Sequence, residues 1–215
     1  MKKENLCIGE DDLKYLYECK TIIGVDDCGR GPIAGGMFIG FVSFKYDFDP
    51  SHLGLNDSKK LKDKTHLFDD IIKNNSDFHV EEISVEEINS GENLNNLFGK
   101  GFKRGLEKFN KQNSIIFLDG EIPSNCVGYP IDIINKSNYD GTSWHVAAAS
   151  IIAKNAQINS MLDLDIKYPN YGFKDHHGYG TKKHFEALVK YGICSNHRFR
   201  WIDLEKIKGK LNVSK

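Results

Sequence analysis

The sequence predicts a mixed α/β protein, a central sheet with helices on its faces. Three observations lead there. The apolar run "TIIGV" is followed, after a Gly-Arg-Gly-Pro turn, by a second apolar run, "GGMFIGFVSF", the pattern of a β-hairpin. Beyond it, strand-like runs alternate with helical periodicity, which places helices over a sheet. No repeat, low-complexity tract or linker interrupts the 215 residues, so a single domain accommodates residues 1–215.

The elements follow in order. Residues 11–20 predict a short lead-in helix. "TIIGVDD" and "GGMFIGFVSF" are the hairpin strands. "LNDSKKLKDKTHLFDDIIKNN" is a loop feeding a helix, with Asp57 or Ser58 suited to cap it and Leu61, Leu67, Phe68 and Ile71 on one face. "FHVEEISV" alternates as a half-buried strand does. "VEEINSGENLNNLFGKGFKRGLEKFN" reads as helix, break and helix, the break being "NSG". "SIIFLDG" is short and wholly apolar until a carboxylate and a glycine end it, which suits a buried interior strand. "YPIDIIN" predicts a further strand. "HVAAASIIAKNAQINSMLDLDIKY" is the longest helix, small and apolar at its start and stopped by Pro169. "TKKHFEALVKYG" is a helix with a glycine stop, and the basic tail "KIKGKLNVSK" is expected to fray.

Composition excludes more than it selects. With 40% hydrophobic and 27% charged residues and a net charge of −1, the chain is neither a general polyanion binder nor disordered. The charge is unevenly spread: residues 174–215 hold ten Lys/Arg against four Asp/Glu. That basic end suits an anionic partner, although a solvated surface is the simpler reading of charge alone. The five cysteines (Cys7, Cys19, Cys28, Cys126 and Cys194) are odd in number, widely spaced and without a CxxC, as expected of free thiols in a reducing compartment. "MKKENLCIGEDDL" lacks the apolar segment of a secretory signal, and no stretch reaches the length of a membrane span. A cytoplasmic protein is expected.

The chemistry lies in the carboxylates. Asp26 and Asp27 end the first strand side by side, which is no packing solution, since a buried carboxylate needs a partner. Asp119 ends "SIIFLD", and Asp140 lies in "NKSNYDGTSWHVAAAS", just before the long helix. If the first strand neighbours "SIIFLD" in the sheet, Asp26 and Asp119 reach the same edge. Converging carboxylates repel unless cations sit among them, and hard divalent ions with oxygen ligands, Mg²⁺ above all, remove that cost. A pair of ions roughly 3.5–4 Å apart is the clamp used for in-line displacement at phosphorus. Taken singly, Asp119 and Asp140 are better explained as turn or helix caps, whereas the adjacent pair Asp26-Asp27 is more specific because "GRGP" follows it. The glycines of "GRGP" let the backbone approach a ligand and offer it N–H groups, with Arg30 fixed beside anions.

Four blocks in order resemble the type 2 ribonucleases H, the ribonuclease HII family. "GVDDCGRGPIAG" is similar to its Asp-Glu-x-Gly-Arg-Gly-Pro opening, and "LNDSKKL" to its Asp-Ser-Lys-Lys-Leu block. "LDG" is similar to its strand-borne aspartate. "AAASIIAK", "YPNYGF" and "HHGYGTKKHFEALVKYG", ending in "HR", resemble its C-terminal signature. The resemblance implies a ribonuclease H-like mixed sheet with a small helical C-terminal subdomain, about residues 170–215. It implies an endonuclease that cleaves RNA in RNA/DNA hybrids and incises 5′ of single ribonucleotides in duplex DNA, leaving 3′-hydroxyl and 5′-phosphate ends. Its cofactor is two divalent ions, Mg²⁺ or Mn²⁺, and the enzyme is expected to be a monomer.

By that resemblance the metal-binding, catalytic acids are Asp26, Asp27, Asp119 and Asp140. Gly29, Arg30 and Gly31 read the ribose 2′-hydroxyl, Tyr179 packs on the sugar after the ribonucleotide, and Lys59 and Lys60 lie near backbone phosphates. The sequence departs from the family where its second acid, usually Glu, is Asp27, one methylene shorter. Metal ligands must hold within tenths of an ångström, so reduced activity or an altered Mg²⁺/Mn²⁺ preference is expected of such a change. "NAQIN" replaces a usually charged pair, with an effect expected on helix packing. His176, His177 and His184 lack the fourth ligand a zinc site requires. Cys28 reads as a small filler, and Trp144 and Trp201 as anchors. Two other readings compete: a binder that has lost catalysis through Asp27, and another two-metal nuclease such as a junction resolvase. Retention of a repulsive acidic cluster argues against the first, and the 2′-hydroxyl reader against the second.

Overall fold

The computed structural model describes residues 9–18, 20–56, 61 and 65–212. Strands β1 (Thr21–Cys28), β2 (Met37–Phe44), β3 (Ser76–Ile83), β4 (Ser114–Asp119) and β5 (Asp132–Lys136) form one sheet in the order β3-β2-β1-β4-β5. The first three pair antiparallel, as the hairpin pattern requires, and β4 and β5 add parallel to β1. The sheet is therefore mixed.

Helix α1 (Glu10–Tyr17) precedes the sheet, α2 (His66–Asn74) enters β3, and α3 (Val85–Asn89) and α4 (Leu94–Leu106) lead to β4. Helix α5 (Trp144–Lys167) is the longest. Helices α6 (Phe173–His176), α7 (Lys182–Tyr191) and α8 (Leu204–Asn212) complete the chain. Caps set several boundaries. Ser84 and Glu87 form a reciprocal capping box on α3, Ser143 accepts from the N–H of Val146 at the start of α5, and Thr181 accepts from that of His184 in α7.

The sheet is covered on both faces. On one, Ile23, Val25, Ile39 and Phe41 pack against Leu97, Phe98 and Phe102 of α4. On the other, Val42 meets Ala147, Ala148, Ile151 and Ile152 of α5. The small residues of "HVAAAS" are needed for that approach. A Cβ on Gly24 or Gly40 would stand 2.2 Å from the α5 backbone, at His145 and Ala149 respectively, so only glycine fits in the strands beneath it. A separate cluster of Ala34, Met161, Phe173, Leu188 and Ile207 builds the C-terminal subdomain.

Three expectations require correction. Helix α2 turns Ile72 and Phe68 inward and leaves Leu67 and Ile71 exposed, because its contact runs along one narrow row against α5 and β3. The lead-in helix ends at Tyr17. The tail does not fray at Lys206: α8 is helical through Asn212, held by burial of Ile207 against the subdomain core. The proposed caps Asp57 and Ser58, with Lys59 and Lys60, lie outside the described residues.

Candidate active site

The parallel register of β1 and β4 ends at Val25 opposite Leu118, so Asp26 and Asp119 are the next residues at the same sheet end. Asp140 reaches that end from a short 3₁₀ turn, Tyr139–Gly141, which leads into α5. Asp119 fixes the turn, its Oδ1 accepting the backbone N–H of Tyr139 at 2.6 Å. All four acids that the sequence singled out thus share one edge of the sheet.

Their environments differ. Asp26 is only 7% exposed, its Oδ1 accepts the N–H of Asp27 at 2.7 Å, and Ser150 of α5 hydrogen-bonds it. Burial holds its carboxyl well above the usual range, and the charges of Asp27, Asp119 and Asp140 push it further in the same direction. Asp140 is also buried. Asp27 faces a groove of about 550 Å³ lined by Arg30, Asn95, Phe98, Asp119, Gly120 and Glu121 among others.

Arg30 already supplies one positive charge there. Its Nε donates to both carboxylate oxygens of Asp27 at 2.9 Å, an Nη1–H reaches Asn95 Oδ1 at 2.8 Å, and the guanidinium lies 4.7 Å from the centre of the Phe98 ring. Among the described residues, no three His, Cys, Asp or Glu side chains are gathered tightly enough to hold an ion as they stand. The donor chemistry nevertheless fits hard divalent cations: four carboxylates on one edge, one of them pushed toward protonation by burial and by the charges of the other three, and a guanidinium standing in as counter-cation on the groove-facing Asp27.

The elements expected to read the nucleic acid meet beside this edge. Gly29, at φ 95°, turns the chain out of β1 in a conformation that side chains disfavour. A Cβ on Gly31 would lie 3.3 Å from Cε1 of Tyr179, a residue that is 44% exposed. Cys28 is a filler, its Sγ 3.4 Å from Gln157 Oε1. "NAQIN" does serve packing: Asn155 donates to Thr65 O and Asp69, and Gln157 to His177 O. Trp144 is buried in the core, and Trp201 lies over the Arg198 guanidinium at 4.9 Å. His176 and His184 stack in the subdomain interior with ring centres 4.2 Å apart, so their nitrogens do not converge on a common point.

Sequence reasoning missed Asn95, Phe98, Ser150 and, above all, His197 and Arg198. The last two closed the signature as "HR", but nothing in a single sequence distinguishes a buried arginine from a solvated one.

The ribonuclease HII family model matches residues 23–204. The chain is 38% identical to the ribonuclease HII of Neisseria meningitidis serogroup B, over 81% of this chain and 89% of that one. It is 37% identical to the ribonuclease HII of Caldicellulosiruptor bescii, over 90% and 92%. The fold is similar to that of the ribonuclease H2 from Pyrococcus horikoshii, with a TM-score of 0.73 at 24% identity, covering 89% of this chain and 99% of that one. The chain belongs to the ribonuclease HII family, and so to the metal-dependent endoribonucleases.

Proposed function

We propose that this enzyme hydrolyses the RNA strand of RNA/DNA hybrids and incises 5′ of single ribonucleotides in duplex DNA, acting as a cytoplasmic monomer. The observation that carries the proposal is the convergence of Asp26, Asp27, Asp119 and Asp140 on one sheet edge, beside the Gly29–Gly31 turn and Tyr179. Two divalent ions, Mg²⁺ or Mn²⁺, held by those four acids would supply an activated water and charge stabilisation for the leaving 3′ oxygen.

The chain's own residues do the rest. Asp119 orients the turn that carries Asp140. Arg30 holds Asp27 in place and presents its remaining face to the anionic strand. The exposed Tyr179 ring offers a flat apolar surface to a sugar. The N–H groups of the glycine turn can donate to a 2′-hydroxyl, the group that separates RNA from DNA. Lys59, Lys60 and the basic C-terminal segment contribute phosphate contacts that position the duplex.

The test is cleavage of an RNA/DNA hybrid labelled on the RNA strand, in Mg²⁺, in Mn²⁺ and in chelator. The expected products carry 3′-hydroxyls that a polymerase extends and 5′-phosphates that a ligase joins. Cyclic phosphate ends, or cleavage that persists in chelator, would overturn the two-ion reading.

A further inference from the structure

The two elements proposed to read the ribonucleotide, the Gly29–Gly31 turn and Tyr179, are far apart in sequence, and both lie outside the strands. Both are held by one dipeptide. Arg198 is fully buried, and among the described residues its hydrogen bonds go to no carboxylate. Its guanidinium donates instead to four backbone carbonyls: Nη2 to Gly29 at 2.6 Å and Gly36 at 2.9 Å, Nη1 to Arg30 at 3.0 Å, and Nε to Gly35 at 2.8 Å. Burial lowers its pKa to about 10, which leaves it charged at neutral pH.

The consequence lies in peptide geometry. In a trans peptide the C=O and the following N–H share a rigid plane and point in opposite directions. Drawing the carbonyls of Gly29 and Arg30 toward Arg198 therefore turns the N–H groups of Arg30 and Gly31 away from it. Among the described residues neither N–H donates to another backbone carbonyl outside the strands.

His197 does the same for Tyr179 through a relay. The N–H of Cys194 can only donate, and it reaches His197 Nδ1 at 3.0 Å, so Nδ1 accepts and the ring proton sits on Nε2. The longer 3.3 Å approach of Cys194 O to Nδ1 is then non-bonding. His197 Nε2–H donates to His184 Nε2 at 3.0 Å, which places the His184 proton on Nδ1, and that nitrogen donates to the carbonyl of Tyr179 at 2.9 Å. Backbone bonds stitch the same region: Arg198 N–H to Ile33 O and Ile33 N–H to Gly178 O.

We propose that His197 and Arg198 are positioning residues that set the glycine turn against Tyr179, and so govern how efficiently the enzyme acts at a ribonucleotide. The inference rests on the proposed substrate reading. Its test compares R198M and R198K, and H184Q and H184N, with the wild type. H184N keeps a donor near the Nδ1 position, and H184Q does not.

On duplex DNA carrying one ribonucleotide, R198M is expected to lose about 100-fold in kcat, as displacement of a positioning element by an ångström does. KM and affinity for an all-DNA duplex should stay within about 2-fold. R198K should recover part of the loss, and H184N should exceed H184Q. A purely structural role would instead lower active fraction, binding and kcat together. Amide hydrogen exchange without substrate gives an independent reading, with faster exchange expected at the hydrogen-bonded amides of Ile33 and Gly35 in R198M and of Thr181 in H184Q. Unchanged kcat and exchange in these variants would overturn the proposal. If R198M does not fold, the His184 pair decides. If the wild type fails to incise, the substrate reading falls, while the exchange comparison still decides positioning.

Discussion

Asp26 shows how a site can oppose the fold that carries it. Its carboxylate is buried and repelled by three others, so in the metal-free protein the ionised form is disfavoured. A carboxyl held above its usual range costs stability once the pH exceeds that of an ordinary carboxylate, and the cost fades as pH falls through the raised value. Removing the charge should therefore help the empty protein. D26N is expected to raise unfolding free energy at neutral pH by about 1–2 kcal/mol in chelator and to abolish cleavage. Mn²⁺ should raise the melting temperature of the wild type but not of D26N, read by thermal unfolding with and without the ion. This much was legible in the sequence, because adjacent aspartates at a strand end have few structural uses. The Arg30–Asp27 pair was not, since a guanidinium four bonds along a flexible stem has no sequence-encoded direction.

At the scale of elements, two buried polar groups join helices to the site. Asp12 of α1 accepts from His145 Nδ1 at 2.6 Å, from the His145 N–H and from Ser143 Oγ, tying α1 to the start of α5 next to Asp140. Breaking such a buried set leaves donors without a partner, so D12A should cost about 3 kcal/mol in urea unfolding. In the subdomain, burial lowers the pKa values of His184 and His197 to about 4, and the charge of the nearby His176 acts in the same direction. Histidines depressed in the fold contribute stability that is complete above their unfolded value, near 6.5, and is lost as pH falls toward 4. The urea midpoint should accordingly decline between pH 6.5 and 4 in D26N, where the opposing titration of Asp26 is removed, and a flat profile there would refute the neutral relay. Strand positions and the two-helix break at "NSG" were readable because apolar period and turn chemistry agree. The inward face of α2 was not, because Leu67 and Ile72 are equally apolar and only the tertiary partner selects between them.

The whole molecule brings a sheet edge and a C-terminal subdomain to one site. We propose that the sheet and the C-terminal subdomain unfold as one unit, since Arg198 of the C-terminal segment bonds the carbonyls of the β1–β2 connection directly. Far-ultraviolet circular dichroism and tryptophan fluorescence should then give coincident denaturation curves, and separated midpoints would contradict this. Fold class and the order of the acids were legible because each depends on local pattern. The joining of Gly31, Tyr179 and Arg198 was not, because it depends on contacts between distant segments. Recognition of the ribonucleotide is tested most directly by incision of duplex DNA carrying one ribonucleotide, beside an all-DNA control, in Mg²⁺ and in Mn²⁺. The expected result is a single cut 5′ of the ribonucleotide, none in the control, and a gain in Mg²⁺-supported rate for D27E, which restores the longer acid. Binding without incision in either metal, for both the wild type and D27E, would contradict it.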